Sequence, residues 1–500
     1  MTPRSRAAAA SPAVLLSLLT LSLAGCELGP NFFSPAPPEA TEYASPGERN
    51  LGDGPRDKRT LDVGARIASD WWTIFHSPAL DRVMKQAIAD SPSLAQAQAQ
   101  LAFAREQIIV AQGAELPQVD LTGGIARQEV NVEISGNPRP PIPVNIYSIS
   151  PTVSYPLDIF GGLKRTVESR EASAELSQDQ LAAAYLALTG NIAMQSITIA
   201  SVRAEMETVE RIIADDERNL KLVKTAQEAG TATEVDVTSA QSQLANDRTL
   251  IPPLRQRLSV AKHALAVFAG KVPIEFDAPD FDLRGFALPN VIPVTLPSTM
   301  VRDRPDILAA EAQMHVASAN IGVATAALYP NLTLGATFAQ QATQLTNFFS
   351  GAYSAFSIGA SAAAPIFHGG ALKAQQRAAY AAFDAAFAAY KQVVIQAFGQ
   401  VADSLQALLH DDQDVASQAA AVAAADKALK LARLSFQEGN TTLLQVLDSE
   451  RQADRANIGL VQARSRRVLD TAQLFVALGS GWWNTPPLVP PPPATPAAAK

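Results

Sequence analysis

Apolar residues along this chain follow two periodicities that alternate, and the alternation occurs twice. A helical pattern starts after Ser77, with Pro78 suited to a first helical position, and a second runs from Pro92 to about Glu115. From Pro117 the period shortens to two. Between Tyr147 and Leu157 large apolar residues take the odd positions and small polar residues take most even ones. The partner strand, about 118 to 134, connects through Ser135-Gly136-Asn137-Pro138 and a proline-rich loop. Gly161-Gly162 then opens a proline-free helical stretch to about Ala229, roughly 100 Å long at ~1.5 Å per residue. Its apolar positions, from Leu181 through Leu188, Val202, Val209 and Leu220, are spaced by threes and fours with breaks at Gln195 and Asp216, a heptad seam. After Gly230 the chain turns into another predicted helix, Thr233 to about Ala269.

The second half repeats this. Pro92 to Pro117 recurs at Pro305 to Pro330 with Ala97/Ala310, Gln100/Gln313, Ile108/Ile321 and Val110/Val323 among the identities. Leu332, Leu334, Ala336 and Phe338 alternate with Asn331, Thr333, Gly335 and Thr337, and a fourth strand covers Phe356 to Ser361. Val394, Val401, Leu408, Val415, Val422 and Leu429 fall seven apart, and Gly439 turns the chain into a helix from Thr442 to about Leu478. A period of about 210 residues is far longer than a solenoid unit of roughly 20 to 50, so each half is a duplicated domain-sized unit.

Composition narrows the class. Of the 500 residues 47% are hydrophobic but only 6% aromatic, and the alanine-rich remainder suits closely packed long helices. The net charge of -8 gives no basic footprint for nucleic acid. Residues 1–25 read as a signal peptide: Arg4 and Arg6, an apolar run, then Leu23-Ala24-Gly25 before Cys26. Cys26 is the chain's one cysteine, placed as in a bacterial lipobox. It is the expected attachment point of an N-acyl and S-diacylglycerol lipid, which together anchor stably where one chain would not. The expected organisation continues with an extended arm over 26–69, a first repeat over 70–270, a linker and equatorial region over 271–300, a second repeat over 301–480 and a proline-rich disordered tail over 481–500.

Four strands cannot close a barrel, and open edges in hydrocarbon would strand backbone hydrogen-bonding groups at several kcal/mol each. The barrel must be shared among copies. Two copies give eight strands with a filled interior, and three give twelve, which begins to leave a lumen. The fold expected is α+β, mainly α: a homotrimer with a twelve-stranded β-barrel continuous with a twelve-helix α-barrel.

Asp70-Trp71-Trp72-x-x-Phe75, Arg304-Pro305-Asp306-Ile307, Ile321-Gly322-Val323-Ala324 with Tyr329-Pro330, and Cys26-Glu27-Leu28-Gly29-Pro30-Asn31 together resemble the outer membrane efflux protein family, in particular its OprM/NodT-type lipoproteins. The resemblance spans Cys26 to Trp483. It implies a duct in the outer membrane of a Gram-negative bacterium, lipid-anchored and with a large periplasmic part, that docks onto a periplasmic adaptor and an inner-membrane pump, RND-type. It also implies that the inter-helix turns, Gly230 and Thr231 in the first and Gly439, Asn440 and Thr441 in the second, meet the adaptor. TolC-like relatives lock this end with an acid, a tyrosine and an arginine. Asp236 matches the acid, but Phe436 and Thr441 hold the other two positions. OprM-like relatives narrow through leucine and aspartate rings, matched here by Leu444 and Asp448. Asp236, Leu444 and Asp448 are therefore the expected periplasmic gate, and a ring of like charges there should attract cations.

Enzyme chemistry finds no foothold in the sequence. His76, His263, His315, His368 and His410 lack HxxxH or HExxH spacing, and Phe160-Gly161-Gly162 and His368-Gly369-Gly370 lack the elements of a phosphate loop. We expect no cofactor, no metal and no catalysis. An exit channel for type I protein secretion uses the same duct, and a non-conducting periplasmic coiled-coil scaffold is the alternative of another kind.

Overall fold

The computed structural model describes residues 27–40, 42–43, 60–65, 67–130, 133–134, 137–138 and 142–479. The expected signal peptide, Cys26, the proline-rich tail and Trp482-Trp483 lie outside them. The order of the main elements is β1 (Thr60–Val63), α1 (Pro78–Asp90), α2 (Pro92–Gly113), β2 (Gln118–Val130), β3 (Ile142–Leu157), α3 (Gly162–Glu228), α4 (Glu234–Arg248), α5 (Ile251–Phe268), β4 (Val291–Val294), α6 (Pro297–Asp303), α7 (Pro305–Ala326), β5 (Asn331–Ala342), β6 (Ser354–Ala363), α8 (Ala371–Gln437) and α9 (Leu443–Ala477). The fold is α+β, mainly α. The duplication is literal in its longest parts: α3 and α8 each span 67 residues.

The chain divides into two compact units. Of the described residues the first holds those within 27–35, 101–177 and 309–390, and its centre is an antiparallel sheet in the order β2-β3-β5-β6. Directly paired residues share a face, so the register decides what each face is made of. Val119 pairs with Val153, Val153 with Ala336 and Ala336 with Ile358, and the next line runs Tyr155, Leu334, Ala360. Thr152, Thr337 and Ser357 form a line on the opposite face, as do Ser154, Gly335 and Gly359. One face of the sheet is thus apolar and the other small and polar across all four strands. Val119, Leu121, Ile125, Phe356 and Ile358 stand exposed on the apolar face, and the edges are β2 and β6.

The same unit grips the segment after Cys26. Gly29 lies flat on Gly322, where a Cβ on Gly29 would meet the Gly322 Cα at 2.6 Å. The buried Arg165 donates to the Leu28 carbonyl (3.2 Å), Asn31 Oδ1 (2.7 Å) and Glu168 (2.6 Å), while Phe32 stacks on the His315 ring at 4.4 Å. These contacts explain why glycine and asparagine stand at those positions.

The second unit holds the described residues within 36–100, 178–308 and 391–479. Ser77 caps α1 by accepting from the Leu80 amide, with Pro78 first in the helix as its missing N–H permits. Trp71 stacks on Phe475 at 5.7 Å and meets Phe75 edge-on, so Trp71-Trp72 anchor packing, both nearly fully buried. Arg304 reads as a junction: its guanidinium donates to both oxygens of Asp306, to Gln400 and to the Ala477 carbonyl at the end of α9.

Two expected regions contain short elements, and one expected helix is corrected. The arm expected to be extended over 26–69 ends in a strand, β1, which pairs in parallel with β4, Thr60 opposite Val291. The linker 271–300 likewise carries β4 and the start of α6. Four-residue strands are too short to display a period. The helix expected from Thr233 to Ala269 breaks at Thr249 and Leu250, whose amides bond to carbonyls three residues back, Asn246 and Asp247. Pro252 and Pro253 lack the N–H groups that would continue the ladder. The proline-free α9 runs 35 residues unbroken.

Candidate functional site: the turns of the two helical hairpins

Both turns are built from the same local chemistry. Gly230 sits at φ +77 and Gly439 at φ +78, left-handed values that favour glycine. In the first turn the Gly230 amide donates to the Gln227 carbonyl and the Thr231 amide to Ala226; in the second, Gly439 donates to Phe436 and Asn440 to Ser435. Each is a Schellman cap, the 5→2 and 6→1 pair that satisfies the last carbonyls of a helix. A Cβ at either glycine would meet nothing within 4 Å, so the turns are open to the surroundings.

The starts of the returning helices differ. Thr233 caps α4 with a complete capping box: its hydroxyl accepts from the Asp236 amide, and Asp236 Oδ2 accepts from the Thr233 amide at 2.8 Å. Such a cap contributes about 1 kcal/mol. The Asp236 carboxylate is therefore engaged inside its own turn. Thr442 begins α9 with no side-chain cap bond.

Leu443 and Leu447 face inward on α9 and pack with Val223, Val237 and Ala240 of the first hairpin. Leu444, one residue on, is 59% exposed, and Asp448 shares its face one turn later. Asp448 accepts from Arg451 and Gln452, both at 3.0 Å. The two residues matched to the leucine and aspartate rings thus share the outward side of α9, away from the core that joins the hairpins. Phe436 and Thr441 stand near the second turn, and neither provides a charged partner for Asp236.

Sequence reasoning missed the polar junction behind the turns. Glu450, 4% exposed, accepts from Asn219 at 2.6 Å and from Arg433 at 2.5 Å, tying α9 to α3 and α8. The signal available was a glutamate three residues after the inward Leu447. Next to it a groove of about 510 Å³ is walled by Leu222, Val223, Phe436, Leu443 and Val446, with Arg218 and Arg433 at its polar side. Among the described residues no helix is long and apolar enough to cross a membrane.

Comparison with known proteins agrees with the geometry. The chain is 30% identical over 436 residues to the pyoverdine export outer membrane protein OpmQ of Pseudomonas aeruginosa, covering 86% of this chain and 91% of that protein. It is 27% identical over 471 residues to the probable efflux pump outer membrane protein TtgC of Pseudomonas putida, covering 94% and 95%. The solved outer-membrane channel OprN superposes with a TM-score of 0.83 at 25% identity, over 91% of this chain and 100% of that one. The profile of outer membrane efflux proteins matches in two blocks, residues 83–271 and 296–480, one for each repeat. The chain therefore belongs to the outer membrane efflux protein family.

Proposed function

We propose that this protein is the exit duct of a tripartite efflux system, passively conducting small molecules from an inner-membrane pump and periplasmic adaptor across the outer membrane. The observation that carries the reading is the four-stranded sheet with one exposed apolar face, one small polar face and two open edges. Edges of this kind are satisfied by pairing with neighbouring copies. Three copies give a twelve-stranded barrel with lipid outside and water within, and six 67-residue helices with their returning partners form the tube. Pyoverdine export by OpmQ and the efflux role in the name of TtgC favour small molecules as cargo over secreted proteins. The open turns at Gly230, Thr231, Gly439, Asn440 and Thr441 are where the adaptor docks, and an RND pump is its partner. Leu444 and Asp448 narrow the periplasmic end, with Asp236 holding the first turn rigid behind them.

Purified full-length protein tests the duct directly. Cross-linking should arrest at three copies, and the protein should conduct in planar lipid bilayers. Monomeric protein, or trimers silent even after the turns are loosened by substitution, would leave the scaffold reading standing.

The lipid on Cys26 is a separate proposal, supported by Leu-Ala-Gly-Cys and by the grip of the following residues, Leu28 and Asn31, on Arg165. Cells fed radioactive palmitate should label the wild-type protein and not Cys26→Ser. Label retained in the variant would place acylation elsewhere.

A further inference from the structure

The heptad seam of α3 is interrupted at Asp216, and the second hairpin carries an acid on the equivalent side of its own seam, Asp411, three residues after Leu408. Both are buried, at 3% and 8% exposure. Asp216 lies between two apolar clusters, one holding Val209 and Ile251 and the other Val223 and Val237, with Ile213 and Leu220 filling the turns on either side. A carboxylate needs donors in such a place. Yet Oδ2 of Asp216 and Oδ2 of Asp411 have none.

What faces each of them is another carboxyl. Asp216 on α3 is within hydrogen-bonding reach of Asp247 on α4, and Asp411 on α8 is within reach of Asp470 on α9. The remaining charged groups around Asp216 are Glu450 and Asp454 of α9. Arg433 of α8 is drawn to Glu450, and Asp215 is paired with Arg218. Around Asp411 they are Asp412 and Arg466; Arg466 bonds to Asp414, and Asp412 accepts from Arg467. Among the described residues no arginine or lysine bonds to Asp216 or Asp411. Among the described residues no three histidine, cysteine or acidic side chains are placed to hold a metal ion. A proton shared between two carboxyl groups satisfies both oxygens at once, O–H on one donating to the carboxylate of the other.

We propose that Asp216–Asp247 and Asp411–Asp470 are proton-sharing carboxyl pairs, each stapling the two helices of one hairpin, and that loss of the shared proton in alkaline conditions loosens the hairpin. The staple is repeated once per half and sits where an apolar seam residue would otherwise be. Burial is the main cause that raises Asp216, to about 8, with the facing Asp247 and then Asp454 and Glu450 adding to it. Burial and then Asp470 raise Asp411 to about 7, against the opposing charge of Arg466. Groups raised in this way contribute stability that is complete below the ordinary carboxylate range and is lost as pH rises through those values.

The test is made on the detergent-solubilised full-length protein and does not depend on conduction. Infrared spectra should show a protonated-carboxyl band at pH 7, where ordinary carboxylates are ionised, which disappears by about pH 9. Asp216→Asn and Asp411→Asn should each remove part of that band and the double variant the larger part of it, the remainder belonging to Asp454, which burial and then Glu450 raise to about 7. Spin labels on Lys221→Cys and Thr238→Cys, in a Cys26→Ser background, should separate or broaden in distance as wild-type Asp216 ionises, and remain fixed over the same pH range with Asp216→Asn. The asparagine is nearly isosteric and still donates to Asp247, so a folded variant is expected. Absence of the band at pH 7, or a band untouched by both substitutions, overturns the pairs. A label distance independent of pH in the parent protein overturns the loosening.

Discussion

Replacing Leu444 and Asp448 together by alanine is expected to raise the resting conductance of the protein in planar bilayers several-fold, with Asp448→Ala alone also lowering its sensitivity to divalent cations. The two faces of α9 divide the labour. Leu443 and Leu447 bury themselves against Val223, Val237 and Ala240, so they hold the helix in place. Leu444 and Asp448 are not part of that core; Leu444 is 59% exposed, and among the described residues Asp448 binds Arg451 and Gln452 of its own helix. Alanine keeps helix propensity high and leaves the packed face alone, so stability should change little while the outward face becomes narrower in side chain. In a threefold assembly every such change is made three times around one axis. Conductance equal to wild type in the double variant would remove these residues from the gate. A matching rise on Leu447→Ala instead would show that packing, not the outward face, sets closure.

Arg304→Ala is expected to be the most destabilising of the single substitutions considered, by about 3 kcal/mol, with a melting temperature several degrees lower. The guanidinium is 8% exposed and closes four contacts: Asp306 through both oxygens at 2.8 and 2.9 Å, Gln400 at 2.6 Å and the Ala477 carbonyl at 2.6 Å. The Asp306 side chain is 43% exposed and regains water when its partner leaves, so the ion pair itself is a minor part of the loss. The larger part is the carbonyl at the end of α9 and the Gln400 amide oxygen, which lose their buried donor, together with the arginine stem packed on Gly479. Arg304→Lys should recover only part of the loss, because an ammonium cannot reach all three partners with a planar fork. A variant melting within about 1 °C of wild type would show that these contacts are replaced by water at little cost.

Most of the secondary structure was legible because it is long. Seams of about five and six heptads leave no ambiguity about helices of 67 residues, and the alternation at Tyr147 to Leu157 is repeated in register on its neighbours. Shorter features escaped: β1 and β4, four residues each, and the break before Pro252-Pro253. At the turns, Gly230, Thr233 and Gly439 announced their caps by residue type alone. Glu450, Asn219 and Arg433 did not, because their meeting depends on which faces of three helices touch.

The sequence by itself determined the duplicated order of strands and helices, the two-faced sheet and the glycine turns, since each follows from periodicity or from one residue's backbone preference. Only the tertiary structure decided the rest. It engaged Asp236 in its own cap and turned Leu444 and Asp448 outward beside inward Leu443 and Leu447. It also set Asp216 opposite Asp247, and Asp411 opposite Asp470. Those outcomes depend on the rotation of packed helices about their axes, where one residue turns a side chain by about 100° and carries it from core to solvent.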